Sequence, residues 1–226
     1  MSAGAPGPAA EAEPAAGDAR LVVVDMQRVF AEPPSPWASP GFPGALAGVR
    51  RLLPAFAGRV VLTRYVAPAE PRGAWADYFA AWPFALVPPD DPWYDLVDGM
   101  VDGMVDGMVD GMVDGMVDGT GDGMDDGMVD GPGRAPVVTR TTFGKWGPEL
   151  AAATGGATTL VVAGVSTDCC VLSTVLAAAD AGRRVRVVAD ACAGASAADH
   201  ERALDVMRLY APLVEVTTVA DVVGPR

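Results

Sequence analysis

A buried strand running directly into a helix constrains this chain more than any other feature. Residues 158–181 read TTLVVAGVSTDCCVLSTVLAAADA. Positions 158–163 form a short Val-rich run between Gly155-Gly156 and Gly164, which describes a strand buried on both faces. Positions 171–181 are rich in Ala and Leu and free of Gly and Pro, which favours helix. The intervening turn, Gly164-Val165-Ser166-Thr167-Asp168, supplies three residues able to cap that helix. Cys169 and Cys170 therefore stand at the helix start, where unpaired backbone N–H groups and the positive end of the dipole favour an anionic sulfur. A nucleophilic thiol and a small buried core residue are both open readings at this point.

Apolar runs of the same kind recur at 21–24, 60–64, 136–140, 184–189 and 213–217, and helical patterns at 45–56 and 197–210. A short helix opens at Pro148, since proline is accepted in a first turn. Strands alternating with helices imply a parallel sheet covered on both faces. The pattern predicts an α/β fold: a three-layer α/β/α domain with a six-stranded, mainly parallel sheet and its site at the carboxyl edge. That edge would gather Asp25 from the first strand, Arg140 and Lys145 from the third, and the cysteines from the fourth. Trp75, Tyr78, Phe79, Trp82 and Phe84 fall within ten residues and read first as packing against the sheet.

Two segments stand apart from this rhythm. Residues 1–18 are Ala, Gly, Pro and Glu with little to bury, and read as a disordered tail before the domain at 19–226. Residues 97–132 are nine tetrads, VDGM five times and then VDGT, GDGM, DDGM and VDGP. One Val or Met per tetrad cannot build a core, and the period is far below the roughly 20–50 residues of a solenoid unit. The repeat reads as an insert interrupting the domain. It holds ten Asp and no basic residue, so the formal charge of −13 falls to −3 for the other 190 residues.

Partners follow from composition. The acidic balance argues against nucleic acid, whose phosphates require basic patches. No run reaches the roughly 20 apolar residues of a membrane span, and the first residues lack the basic and apolar regions of a secretory signal. Three cysteines are too few for a disulfide framework, so a cytoplasmic, reducing setting is expected. A single histidine, His200, argues against a Cys-His dyad and against a catalytic zinc site, so no metal or cofactor is expected. A carboxylate base with a basic helper is what the residues permit.

Three motifs carry a family resemblance: DMQ at Asp25–Gln27, GVSTDCCV at Gly164–Val171 and VVADAC at Val187–Cys192. Together they resemble the isochorismatase-like cysteine hydrolases, from about residue 21 to 216. The resemblance implies that Cys170, directly before Val171, is the nucleophile and Asp25 the general base. It implies a cis peptide at Val165–Ser166 and an oxyanion site from the backbone N–H groups of Ser166 and Cys170. A lysine is expected at the end of the third strand, where Arg140 stands, with Lys145 five residues on. Position favours Arg140 and proton chemistry favours Lys145, and both remain candidates. The Asp and His metal cluster of the family's nicotinamidases has no counterpart His in 65–77. A cysteine of this kind implies hydrolysis of C–N bonds in a small amide or carbamoyl substrate through a thioester. Phe30, Trp37, Phe143 and Trp146 would line the substrate pocket. A homo-oligomer is usual for the family. The alternative reading is a catalytically silent relative, a binding or scaffold protein using the acidic repeat.

Overall fold

The computed structural model describes residues 18–100 and 135–225. The expected tail, apart from Asp18, and the repeat beyond Met100 lie outside the described residues. Six strands form one sheet: β1 (Arg20–Val24), β2 (Val60–Tyr65), β3 (Val137–Arg140), β4 (Thr159–Val165), β5 (Arg184–Ala193) and β6 (Val214–Thr217). Their order is β3-β2-β1-β4-β5-β6, and every pairing is parallel. The helices are α1 (Arg28–Ala31), α2 (Phe42–Leu52), α3 (Ala74–Ala81), α4 (Pro148–Ala153), α5 (Leu172–Asp180), α6 (Ala197–Arg208) and α7 (Val219–Val223).

Side-chain alternation along the strands builds two cores. Leu21 and Val23 of β1 face α2 and α7, whereas Val22 and Val24 face α5 and α6. Because successive strand residues point to opposite faces, one apolar strand serves both layers. The helix expected over 45–56 begins earlier and ends at Leu52. Leu53–Phe56 then continue as a 3₁₀ turn, as Pro54 lacks the N–H that an α-helix needs. The fifth strand runs past Asp190 to Ala193 because its register against β4 slips between Val187 and Cys192. Gly48 of α2 makes room for this irregularity: a Cβ there would lie 2.7 Å from the Asp190 carbonyl oxygen.

The strand order places a topological switch point between β1 and β4. From there the chain turns to β2 on one side and to β5 on the other, and such crevices are where open α/β sheets hold their ligands. Gly164 enables this juxtaposition. It pairs with Val24 at φ 117°, and any Cβ would collide with the Val24 carbonyl oxygen.

The first tetrad of the repeat belongs to the packed body. The Val97 N–H donates to the Met26 carbonyl at 2.9 Å, Arg50 Nη2 donates to the Asp98 carbonyl at 3.0 Å, and Met100 is fully buried. Excising 101–134 and joining the ends with a short Gly-Ser linker is expected to leave thermal unfolding cooperative and Tm nearly unchanged. Each doubling of loop length costs only about 0.6 kcal/mol. Excision starting at Val97 should lower Tm by several degrees or more, since losing a buried Met side chain costs about 2–5 kcal/mol. Thermal melts of the two deletions side by side check the boundary.

Candidate active site

Asp25 follows β1 directly and takes φ 48°, the one positive φ outside glycine among the described residues. Non-glycine residues rarely adopt this region, and such positions cluster where a side chain must be aimed. Its carboxylate is fully buried. Thr63 of β2 fixes it from both ends: the Asp25 N–H donates to Thr63 Oγ1 at 3.2 Å, and Thr63 Oγ1 donates to Asp25 Oδ1 at 2.7 Å. Gln27 ties the neighbouring segments together. Its Nε2 donates to the carbonyls of Tyr65 at 2.8 Å and Tyr94 at 2.7 Å, while its Oε1 accepts the Tyr65 N–H at 2.8 Å.

Lys145 reaches Asp25 from the loop between β3 and α4. Its Nζ lies 2.9 Å from Asp25 Oδ2, with both side chains completely buried. The ammonium also donates to the Thr142 carbonyl at 2.8 Å and sits over the Tyr65 ring, 5.0 Å from its centroid. Arg140, the positional match for a strand-end lysine, instead pairs with Glu149 of α4. The loop folds back beyond β3, and a lysine stem can run through apolar surroundings to deliver its charge. Thus Lys145, and not Arg140, meets the carboxylate.

Cys170 arrives from the other side of the switch point. Residues Thr167–Val171 form a π-helical turn before α5, and the Val165–Ser166 peptide bond is cis. Around the turn, Asp168 Oδ1 accepts the Ser166 hydroxyl at 2.7 Å and the Ala195 N–H at 2.9 Å. Thr167 Oγ1 shares a hydrogen bond with His200 Nδ1 at 2.9 Å, which gives the lone histidine an anchoring place on α6. One turn into α5, Thr174 Oγ1 donates to the Cys170 carbonyl at 2.6 Å and accepts the Lys145 N–H at 2.9 Å. Through Thr174 the loop carrying the ammonium and the turn carrying the thiol are joined directly.

The thiol differs from the expectation of a stabilised thiolate. Cys170 is 2 % exposed, and burial pushes its pKa well above the ordinary thiol value. The Asp25 charge adds to the rise, and Lys145 opposes it. Desolvation of the anion outweighs what a helix start can offer, and Cys170 lies inside the π turn. Cys169 is partly exposed, and its thiol is raised by burial and by Asp168.

The predicted pocket residues divide. Trp37 stacks on Phe30 with centroids 6.0 Å apart and meets Tyr65 edge-on at 6.0 Å. Phe143 contacts Trp75 at 5.1 Å and Tyr78 at 5.5 Å, and Tyr78 closes the group against Trp37. Of the aromatic run after β2, Trp75, Tyr78 and Phe79 lie in α3, and Phe84 follows in a 3₁₀ turn with its ring edge-on to Trp37. Trp146 does not join this group. Its ring lies under the Arg183 guanidinium at 5.6 Å, against the core shared with α5 and α6. Thr63, Tyr65 and Thr174 are the site residues that sequence reasoning missed. Only the strand register, which sets Val23 beside Leu62 and so Thr63 next to Asp25, exposes the first of them.

The profile of the isochorismatase domain matches residues 117–221. Over these residues, less than half of its length, the chain is similar to the isochorismatase domain. Solved structures share the isochorismatase-like fold over almost its whole length. A cysteine hydrolase from Pseudomonas syringae pv. phaseolicola 1448A superposes with a TM-score of 0.71 at 19 % identity, covering 96 % of each chain. N-carbamoylsarcosine amidase from Thermoplasma acidophilum gives 0.60 at 18 % identity, covering 89 % of this chain and 96 % of that one. Pyrazinamidase of Pyrococcus horikoshii, solved in complex with zinc, gives 0.59 at 20 %, covering 89 % and 99 %. No curated protein sequence matches the chain. Among the described residues, no group of three or more His, Cys, Asp or Glu side chains is placed to hold a metal ion. Nor is any described helix long and apolar enough to cross a membrane.

Proposed function

We propose that this protein is a cysteine-dependent hydrolase of small amides or carbamoyl compounds, cleaving the C–N bond through a thioester. The observation that carries the reading is the fully buried Asp25–Lys145 pair set against a buried thiol whose pKa Asp25 raises and Lys145 lowers. A thiol held protonated at rest needs a base beside it at the moment of attack. In this scheme Asp25 accepts the Cys170 proton as Sγ bonds to the substrate carbonyl carbon. The Ser166 and Cys170 backbone N–H groups meet the developing oxyanion. Asp25 then delivers its proton to the departing nitrogen, leaving an acyl thioester. Water adds to that thioester as Asp25 takes its proton, and the acid leaves with the thiol restored. Lys145 limits the repulsion between thiolate and carboxylate throughout. The amidase and the pyrazinamidase among the structural relatives favour C–N chemistry over other hydrolyses. Three free cysteines fit a reducing, cytoplasmic setting.

The test is ammonia release from a panel of aliphatic amides, aromatic amides and N-carbamoyl compounds, run with wild type and Cys170→Ser. Turnover of at least one compound, lost in the variant, is expected. Turnover that survives Cys170→Ser would sink the mechanism.

A further inference from the structure

Among the described residues, Tyr65 holds a hydroxyl with no hydrogen-bond partner inside the protein, although the residue is only 1 % exposed. Buried polar groups are nearly always paired, and an unpaired one carries a desolvation penalty in the free protein. The other tyrosine at this edge, Tyr94, is equally buried but donates its hydroxyl to the Ala85 carbonyl. Tyr65 is also fixed at the carboxyl end of β2, beside the Asp25–Lys145 pair. Its backbone is fixed by Gln27 at both N–H and carbonyl. Its ring carries the Lys145 ammonium on one face and touches Trp37 and Tyr94 edge-on. The hydroxyl feels the charges of both Cys170 and Asp25, and burial keeps it a neutral donor far above neutral pH.

We infer that the Tyr65 hydroxyl determines specificity by donating a hydrogen bond to an acceptor atom on the substrate's acyl group. The inference rests on the hydrolase reading above and narrows its substrate class. Phe30, Trp37, Tyr78 and Phe143 offer flat apolar surface. Of the cations at this edge, Lys145 pairs with Asp25, Arg140 pairs with Glu149, and Arg64 donates to Thr139 Oγ1. The fitting substrate is an uncharged amide with a planar acyl group bearing one acceptor, such as a ring nitrogen or a carbonyl.

Benzamide and the three pyridinecarboxamides separate these features, because they share one flat ring and differ only in the presence and position of an acceptor. Their kcat/KM values are measured for wild type and Tyr65→Phe, together with the Tm of both proteins without ligand. In wild type at least one pyridinecarboxamide should exceed benzamide by about tenfold, the discrimination typical of one neutral hydrogen bond. In Tyr65→Phe that preference should collapse to near unity, while Tm stays level or rises because an unpaired buried hydroxyl has been removed. A preference that survives the substitution, or a Tm that falls by several degrees, overturns the inference and leaves the hydrolase reading standing. No turnover of any of the four by wild type, with the wider amide panel also silent, removes both.

Discussion

Lys145→Ala is expected to lower amide turnover by about 10²–10⁴-fold, the range for a lost acid–base partner, while Arg140→Ala should cost little. The Lys145 ammonium is 2.9 Å from Asp25 in a fully buried pair, whereas Arg140 spends its charge on Glu149. Removing one member of a buried pair leaves the other uncompensated, at a cost of about 3–5 kcal/mol of stability. The double variant Asp25→Asn/Lys145→Met keeps the volume without stranding a charge and should recover most of the lost Tm without recovering activity. Alkylation of Cys170 as a function of pH provides a signed check. Lys145 lowers the thiol pKa and Asp25 raises it. The alkylation midpoint should therefore move up in Lys145→Ala and down in Asp25→Asn. Wild-type turnover in Lys145→Ala, or movement of both midpoints in the same direction, would show that these two charges do not govern the thiol.

The second large effect separates adjacent cysteines. Cys170→Ser should abolish turnover, and Cys169→Ala should retain most of it. The π turn directs the Cys170 side chain into the core, where it is 2 % exposed and sensitive to Asp25 and Lys145. The Cys169 thiol points toward Asp168, with Sγ 4.0 Å from its carboxylate. Consecutive helical residues do not share a face, so one sulfur cannot replace the other. Steady-state assays on both variants decide the matter. Activity that depends on Cys169 instead would move the nucleophile by one residue.

What could be read from the sequence was whatever depends on neighbours along the chain. Asp25 follows its strand immediately, and Cys170 follows its turn, so hydrophobic patterning alone brought both to the carboxyl edge. Lys145 was a candidate on chemistry, but the choice between it and Arg140 lay beyond such reasoning, because it depends on how the loop after β3 folds back and on Thr174, 29 residues away, which accepts its N–H. Trp146 shows the same limit from the other side. It is adjacent to Lys145, yet its ring serves the opposite core and Arg183. The direction of the thiol shift was equally hidden. A helix start favours the anion, and only the three-dimensional burial of Cys170 reverses the balance.

The anchoring of the first tetrad has a consequence for how this protein can vary. On one side of the repeat Met100 is buried in the core, and on the other, before β3, the Leu62 N–H donates to the Pro136 carbonyl. Each flank is therefore pinned by its own contacts. In-frame gain or loss of whole tetrads between these flanks is expected to alter neither the strand register nor the approach of Lys145 to Asp25. What it does alter is charge, by one Asp for each VDGM unit. Net charge governs solubility and weak association rather than fold. Tetrad number is thus expected to set net charge while the geometry at Asp25 and Cys170 stays fixed.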